Sequence, residues 1–263
     1  VLLMDKASQG LFALRPGNGG DGFTAGGDGG SVSLVTLAAP FSTVQIGDAG
    51  DPPAGNGGSL NGNLGAIAGN GGSISNVTGK AGVLSLIAGS GGDANSAPSG
   101  GTGGPGGNIS AVTVTVTQFL QQARSGSGGD GSAASGFGGN AGNIMNVTVT
   151  GDIGNFSQSF GTAPNRMGGL LSGLGGTGSS MGVTGFMDSV KATRIAAIYA
   201  GDNSTAANAL TFINRVNSIA KITANAIGAD LDQDGTFDFI WPSAPPNCPN
   251  LRSCRFSADQ TSP

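Results

Sequence analysis

Four times in this chain a run of glycine ends abruptly in a segment of strong β-formers. GGDGGSVSLVTL meets its strand at Val32, GNGGSISNVTG at Ile74, GGPGGNISAVTVTV at Ile109 and GGNAGNIMNVTVTG at Ile144. The offsets are 42, 35 and 35 residues. An Asp-bearing glycine turn precedes three of these segments in the same way: GNGGD at Asp21, GSGGD at Asp93 and GSGGD at Asp130, with GDAGD at Asp51 in the equivalent place. Self-similarity at such a period indicates stacked repeats, each burying its apolar face on its neighbours.

The β segments carry an apolar-x-x-apolar spacing: Val32/Val35, Ile74/Val77, Ile109/Val112 and Ile144/Val147. Companion pairs follow at Phe41/Val44, Val83/Leu86, Ile153/Phe156, Ile195/Ile198 and Ile219/Ile222. A straight strand alternates strictly, as Val112, Val114 and Val116 do. Two inward side chains three apart require a strand that bends at a corner. A helix also places i and i+3 together, but β-branched runs lose side-chain freedom in helices and the flanking glycines break them. The expected fold is therefore all-β, a parallel β-solenoid with long glycine-rich loops partly in polyproline II geometry. Glycine permits close backbone approach and positive φ at corners. The regular GxGG spacing favours packed, ordered glycine segments over solvated loops.

Glycine supplies 52 of 263 residues, against a usual level of about 7%. Collagen would need it at every third position. Disorder would need low hydrophobicity and high net charge, whereas 37% of residues are hydrophobic and the net charge is −4. Histidine and glutamate are absent, and Tyr199 and Trp241 are single. That excludes a histidine triad, a histidine-held metal and a glutamate acid/base pair. Eleven Lys and Arg in an acidic chain argue against nucleic acid, whose phosphates demand a basic face. No run is long and apolar enough for a transmembrane helix. The chain starts at Val1 without a leader, as a mature product or a fragment would.

The organisation reads as a repeat solenoid over 1–165, a glycine-rich linker or degraded repeat over 166–185, continuation coils over 186–241 and an irregular cap or tail over 242–263. TAANALTFINRV (205–216) reads as a short helix or an edge strand.

Candidate sites are few. In DLDQDGTFDF, Asp230, Asp232 and Asp234 with Gly235 match the start of a calcium loop, with the Thr236 carbonyl and Asp238 as the next ligands. Trp241 stands where an EF-hand needs its bidentate glutamate, so the expectation is a shorter extracellular-type loop holding structural Ca2+, set against an ordinary acidic turn. GNGGDGF (17–23) matches the core of calcium-binding nonapeptides, yet its relatives are not in tandem. Asp21, Asp93 and Asp130 are expected to cap nearby backbone N–H groups. Cys248 and Cys254 cannot complete a zinc site; a short-loop disulfide is expected ahead of free thiols, and it would imply an oxidising compartment. N-x-S/T sequons occur at Asn76, Asn108, Asn146, Asn155 and Asn203; within the repeat, Asn76 and Asn146 are read as members of a stacked asparagine ladder.

The alternation GGDGGSVSLVTL, GGPGGNISAVTVTV and GGNAGNIMNVTVTGDIGNF resembles the glycine-rich repeats of large bacterial surface and secreted proteins, similar in architecture to filamentous-haemagglutinin-type β-helical adhesins. The resemblance covers about residues 12–160, with a looser echo at 190–230. It departs in its long glycine loops and irregular offsets. It implies a secreted or cell-surface fibre, stalk or adhesin segment, with no catalytic residues to carry over. Three function classes remain. The first is a non-enzymatic structural or adhesive protein that self-associates into a fibre or surface assembly. The second is a glycan- or ice-binding module, with Thr113/Thr115 and Thr148/Thr150 as the threonine face. The third is a polysaccharide-degrading β-helix enzyme, for which Asp188 with Lys191 and Asp202 with Asn203 are only neighbours in sequence.

Overall fold

The computed structural model describes residues 2–4, 10–47, 56–59, 66–94, 100–132, 135–154, 169–195, 198–200, 219–223, 226–229 and 239–242. Among them there is no helix. The strands are β1 (Leu2–Met4), β2 (Leu11–Leu14), β3 (Val32–Ile46), β4 (Ile74–Ile87), β5 (Ile109–Arg124), β6 (Ile144–Ile153), β7 (Leu170–Ser172), β8 (Met187–Lys191), β9 (Arg194–Ile195), β10 (Ile198–Ala200), β11 (Ile219–Thr223), β12 (Ala226–Ala229) and β13 (Phe239–Pro242).

The fold is all-β, built on a parallel sheet. β1 and β2 lie on β3, and β3, β4, β5 and β6 follow one another in parallel. The two ends of β6 are continued by β8 and β9, and the end of β5 by β7. β10, β11 and β12 then lie on β7, β8 and β9. β13 closes the order antiparallel to β12. Each level of this stack is called a tier below.

Each long strand has a bend that explains the apolar-x-x-apolar spacing. Val32, Ile74, Ile109, Ile144, Met187 and Ile219 share one register column, and Val35, Val77, Val112, Val147, Val190 and Ile222 another. Between them, Leu34, Asn76, Ala111, Asn146 and Ser189 all have φ of 53–58°. Alternation alone would send the fourth residue to the opposite face. One left-handed residue resets the phase, so both apolar side chains face inward. The conformation costs roughly 1–2 kcal/mol per non-glycine residue. Burial of the flanking pair offsets it, at about 1.5–3 kcal/mol per large aliphatic side chain; Val35, Val77, Ile109, Val112, Ile144 and Val147 are wholly buried. Asn76 and Asn146 are separated in their column by Ala111, so they form no continuous ladder. Their backbone conformation, which Asn tolerates well, is what the position demands.

A second bend separates each strand into two legs and varies in length from tier to tier. The β3–β4 register slips between Ala39 and Thr43, so that Pro40, Phe41 and Ser42 oppose Gly82 alone. Pro40 has no N–H to donate to a ladder. Phe41 therefore rides on an outward bulge at 58% exposure while Val44 is buried, which separates the expected Phe41/Val44 pair. In β4 the inward residues are Leu84 and Leu86, with Val83 only half-buried. The second leg carries its own ladders, Val44–Leu84–Leu120–Ile153–Ile195 and Ile46–Leu86–Ala123–Leu170. These and the first-leg columns make one apolar core between the legs.

Candidate functional site

Beyond the second leg the chain leaves the sheet as an outgoing glycine run, reverses, and comes back as a return run into the next strand. The outgoing runs are 17–22, 56–59, 89–94, 126–132 and 173–178. The return runs are 26–31, 67–73, 102–108, 137–143 and 180–186. All are joined by backbone hydrogen bonds, and the pattern repeats every three residues.

In the return run of β5, the Gly103 and Gly106 N–H groups donate to Phe137 and Asn140 of the next return run, at 2.9 and 2.8 Å. Gly104 and Gly107 donate to Gly92 and Gly89 of the neighbouring outgoing run, at 2.9 and 2.8 Å. Thr102, Pro105 and Asn108, the third residues of the triplets, face away from the array. A period of three is that of polyproline II backbone, whose polar groups radiate outward with none used internally. Outgoing and return runs are antiparallel neighbours, since Gly89 pairs with Gly107 while Gly92 pairs with Gly104. Runs of one kind are parallel to each other. The runs are therefore an ordered, two-layered array.

This geometry dictates the glycines. A methyl group on Gly104 would overlap the Gly69 carbonyl, and one on Gly129 the Gly92 carbonyl. Where the inward position allows slightly more room, alanine appears, as at Ala68, Ala94 and Ala141, all buried. Ser125 fastens the array to the sheet: its Oγ donates to the Gly142 carbonyl at 2.7 Å and accepts from the Gly173 N–H at 3.1 Å.

The outward third positions form columns that run from tier to tier. Strand-like stacking sets about 4.8 Å between tiers, and three residues at 3.1 Å set about 9 Å between columns. Their side chains solve a specific problem. The N–H of each outward residue has no backbone acceptor, and the side-chain oxygen of the preceding tier supplies one. Asn18 Oδ1 accepts from Asn56 N–H at 3.0 Å and Asn56 Oδ1 from Ser90 at 2.7 Å. Asp28 accepts from Asn70, Ser73 from Asn108, Asn108 from Asn143, and Asn143 from Phe186. Asp21 caps Ser59, Asp93 caps Asp130 and Asp130 caps Thr177, at 2.8, 2.8 and 2.7 Å. The aspartates thus cap backbone N–H groups, but one tier away and not within their own turns. Pro105 fits an outward position because it brings no N–H to be capped.

The exposed large apolar residues are also placed by the array. Phe23, Ile67, Phe137 and Met181 sit where the runs reverse, at 57–70% exposure. Ile67, Thr102, Phe137 and Ser180 are neighbours in one column. Val183 and Phe186 lie further along the last return run. On the opposite side of the molecule's strands, Thr36, Thr78, Thr113 and Thr148 form an exposed outward ladder in register, ending at Lys191; beside it run Ala38, Lys80, Thr115 and Thr150.

Asp188 and Lys191 both lie on β8, and Asp152 pairs with Arg194 across β6 and β9. Arg194 Nε lies 3.1 Å from both Asp152 oxygens. The hydrogen bond to Asp152 raises the Arg194 pKa, desolvation opposes this, and the carboxylate charge adds to the rise. Among the described residues no three acidic or other ligating side chains converge on a point that a metal could occupy. Asp230, Asp232, Asp234, Thr236 and Asp238 lie outside the described residues, in the nine-residue connection between antiparallel β12 and β13. Cys248, Cys254, Asn155, Asp202, Asn203 and the segment 205–216 lie outside them too. No described helix is long and apolar enough to cross a membrane.

No family model, no curated protein and no solved structure matches the chain.

Proposed function

We propose that the chain is a non-enzymatic extracellular structural or adhesive element, a parallel β-solenoid whose glycine array holds a contact surface rigidly away from the sheet. The observation that carries this reading is the placement of Phe23, Ile67, Phe137 and Met181 at the ends of runs whose backbone groups are bonded on both sides. Folded proteins rarely leave several large apolar side chains grouped in water without a use for them. A bonded glycine plate holds them without the entropy loss a flexible loop would suffer on binding. Structural Ca2+ in the Asp230/Asp232/Asp234 loop, pinning the β12–β13 end, belongs to the same reading, as does a secreted or cell-surface location.

The test is retention of the purified chain on glycan-coated, cell and apolar surfaces, against a Phe23→Ser/Phe137→Ser variant of equal melting temperature. The reading expects retention on at least one surface and its loss in the variant. Equal retention of both proteins would refute it.

A second reading, ice binding, draws on the Thr36–Thr78–Thr113–Thr148 ladder, whose rungs repeat with the strand spacing. Lys80 interrupts the companion row. Thermal hysteresis that Thr113→Lys abolishes would favour this reading, and zero hysteresis removes it.

A further inference from the structure

The two edges of the glycine array are unlike, and the difference identifies a binding edge. We propose that the edge formed by 17–22 and 26–31 binds a Gly-Gly-X segment of a separate polypeptide, in polyproline II conformation, antiparallel to the first run and parallel to the second. This stands apart from the adhesive reading, because it uses backbone groups at the array's edge and none of the apolar tips.

The positions at this edge have interior equivalents with which to compare them. Gly20 is exposed, whereas Gly58, Gly92, Gly129 and Gly176 are buried; Gly27 is exposed, whereas Gly69, Gly104 and Gly139 are buried. The N–H groups of Gly58, Gly92, Gly129 and Gly176 donate to the preceding return run at 2.8–2.9 Å. Among the described residues, those of Gly17 and Gly20 have no acceptor. Nor do the N–H groups of Asp28 and Ser31, whose equivalents at Asn70 and Ser73 are capped from the tier before. A methyl group on Gly17 or Gly20 would meet nothing within 4 Å. Neither residue has the positive φ that favours glycine. Glycine loses more chain entropy on folding than any other residue, and nothing in the described chain requires it at these two places. A further run lying against them would.

The opposite edge is closed. Met181 and Thr184 occupy the places of Gly138 and Ala141 in the preceding return run. A methyl group on Gly138 would overlap the Gly176 carbonyl of the following run. Met181 therefore fills the space a further run would need. Leu174, Val183 and Phe186 end three outward columns with side chains that cannot cap a next tier.

The occupant's chemistry follows from the bonds left open. It must present carbonyls to Gly17 and Gly20 and N–H groups to the Asp28 carbonyl. It must be glycine at two positions of every three, with Asn, Asp or Ser at the third to cap Asp28 and Ser31. A second copy of the chain suits neither arrangement. Edge to like edge sets N–H against N–H, because the Gly17 and Gly20 carbonyls already accept from Gly30 and Gly27. Edge to opposite edge meets Met181.

The test titrates the full chain, labelled with 15N-glycine, with the synthetic peptide (Gly-Gly-Asn)4, and with (Ala-Gly-Asn)4 and (Gly-Ala-Asn)4 as controls. Saturable shifts and slowed exchange at the Gly17 and Gly20 amides are expected with the first peptide only. Gly20→Pro removes one donor where a ring has room, and proline shares the φ of polyproline II. It should weaken binding at least ten-fold. Gly27→Val, which places a side chain in the docking groove, should abolish it. In both variants unchanged Gly104 and Gly129 amide protection reports an intact array; should either variant lose that protection, the peptide comparison on the native chain decides alone. No saturable shift, or equal binding of the alanine peptides, overturns the proposal. Self-association of the chain that Gly27→Val removes would also overturn it, by making a second copy the occupant.

Discussion

Substituting Gly129 by alanine tests whether the glycine runs are load-sharing structure. The Gly129 N–H donates to Gly104 and its carbonyl accepts from Gly139, each at 2.8 Å. A methyl group would overlap the Gly92 carbonyl, so the runs must part. Two hydrogen bonds lost or stretched cost about 2 kcal/mol. Strain spread over the neighbouring tiers adds roughly 1–3 kcal/mol, as in other overpacked interiors. Against this, alanine stabilises by about 0.4–1 kcal/mol through the unfolded chain. The net expectation is a loss of about 3 kcal/mol, or a fall in melting temperature of roughly 6–12 °C for a chain of this size. The internal control is Gly20→Ala, where the methyl group meets open space. It should leave stability unchanged or raise it by up to about 1 kcal/mol. Urea and thermal unfolding of the two variants give the comparison. Equal stability for both would refute the reasoning, because it would mean that Gly129 is as free of neighbours as Gly20.

Other expectations follow from the same geometry. Asp130→Ala removes the cap on the Thr177 N–H and should cost about 1 kcal/mol, with Asp130→Asn recovering most of it in urea unfolding. Asn146→Val forces a β-branched residue to a φ of 54° and should lower stability by about 1–2 kcal/mol or more, while Asn146→Gly is tolerated. Leu120→Ala in the second-leg ladder, where Leu120 is wholly buried, should cost about 2–5 kcal/mol. The Asp152–Arg194 pair is half in solvent on its arginine side, so Asp152→Asn should cost at most about 1 kcal/mol. Arg194 has a pKa raised by folding, so its contribution is full below the unfolded pKa and is lost only as pH climbs through the folded value. That window lies in strongly alkaline solution. Stability profiles of native chain and Asp152→Asn should therefore show no arginine-linked difference near neutral pH.

The bend in each strand was legible because it leaves a mark in residue type. An inward pair three apart, as in Ile109 and Val112, cannot come from an unbroken strand. The ladder of repeats was legible too: Ile219 and Ile222, far from the first four segments, fall in the same two columns as Val32 and Val35. What the spacing did not reveal is which residue turns the corner. Leu34, Asn76, Ala111, Asn146 and Ser189 share a backbone conformation and no chemistry, since the corner is imposed by the buried neighbours. The second bend was hidden for a related reason. Its length is set by local irregularities, Pro40 in one tier and Gly82 in the next, and Phe41 was read as core when it lies on a bulge. In the glycine runs the period of three is present in GGPGGN, but the capping by outward Asn, Asp and Ser joins residues 34–47 apart. A turn-forming aspartate and a tier-bridging one look alike in sequence, because both need only a short side chain with an oxygen.

The central claim is that glycine, and not only the β-segments, holds this molecule together. Native-state hydrogen exchange of the 15N-glycine-labelled chain tests it most directly. The account expects the Gly92, Gly104, Gly129 and Gly139 amides to be protected as strongly as that of the buried strand residue Val112, with Gly20 exchanging freely. Exchange of all five glycine amides at unprotected rates, with Val112 still protected, would contradict it.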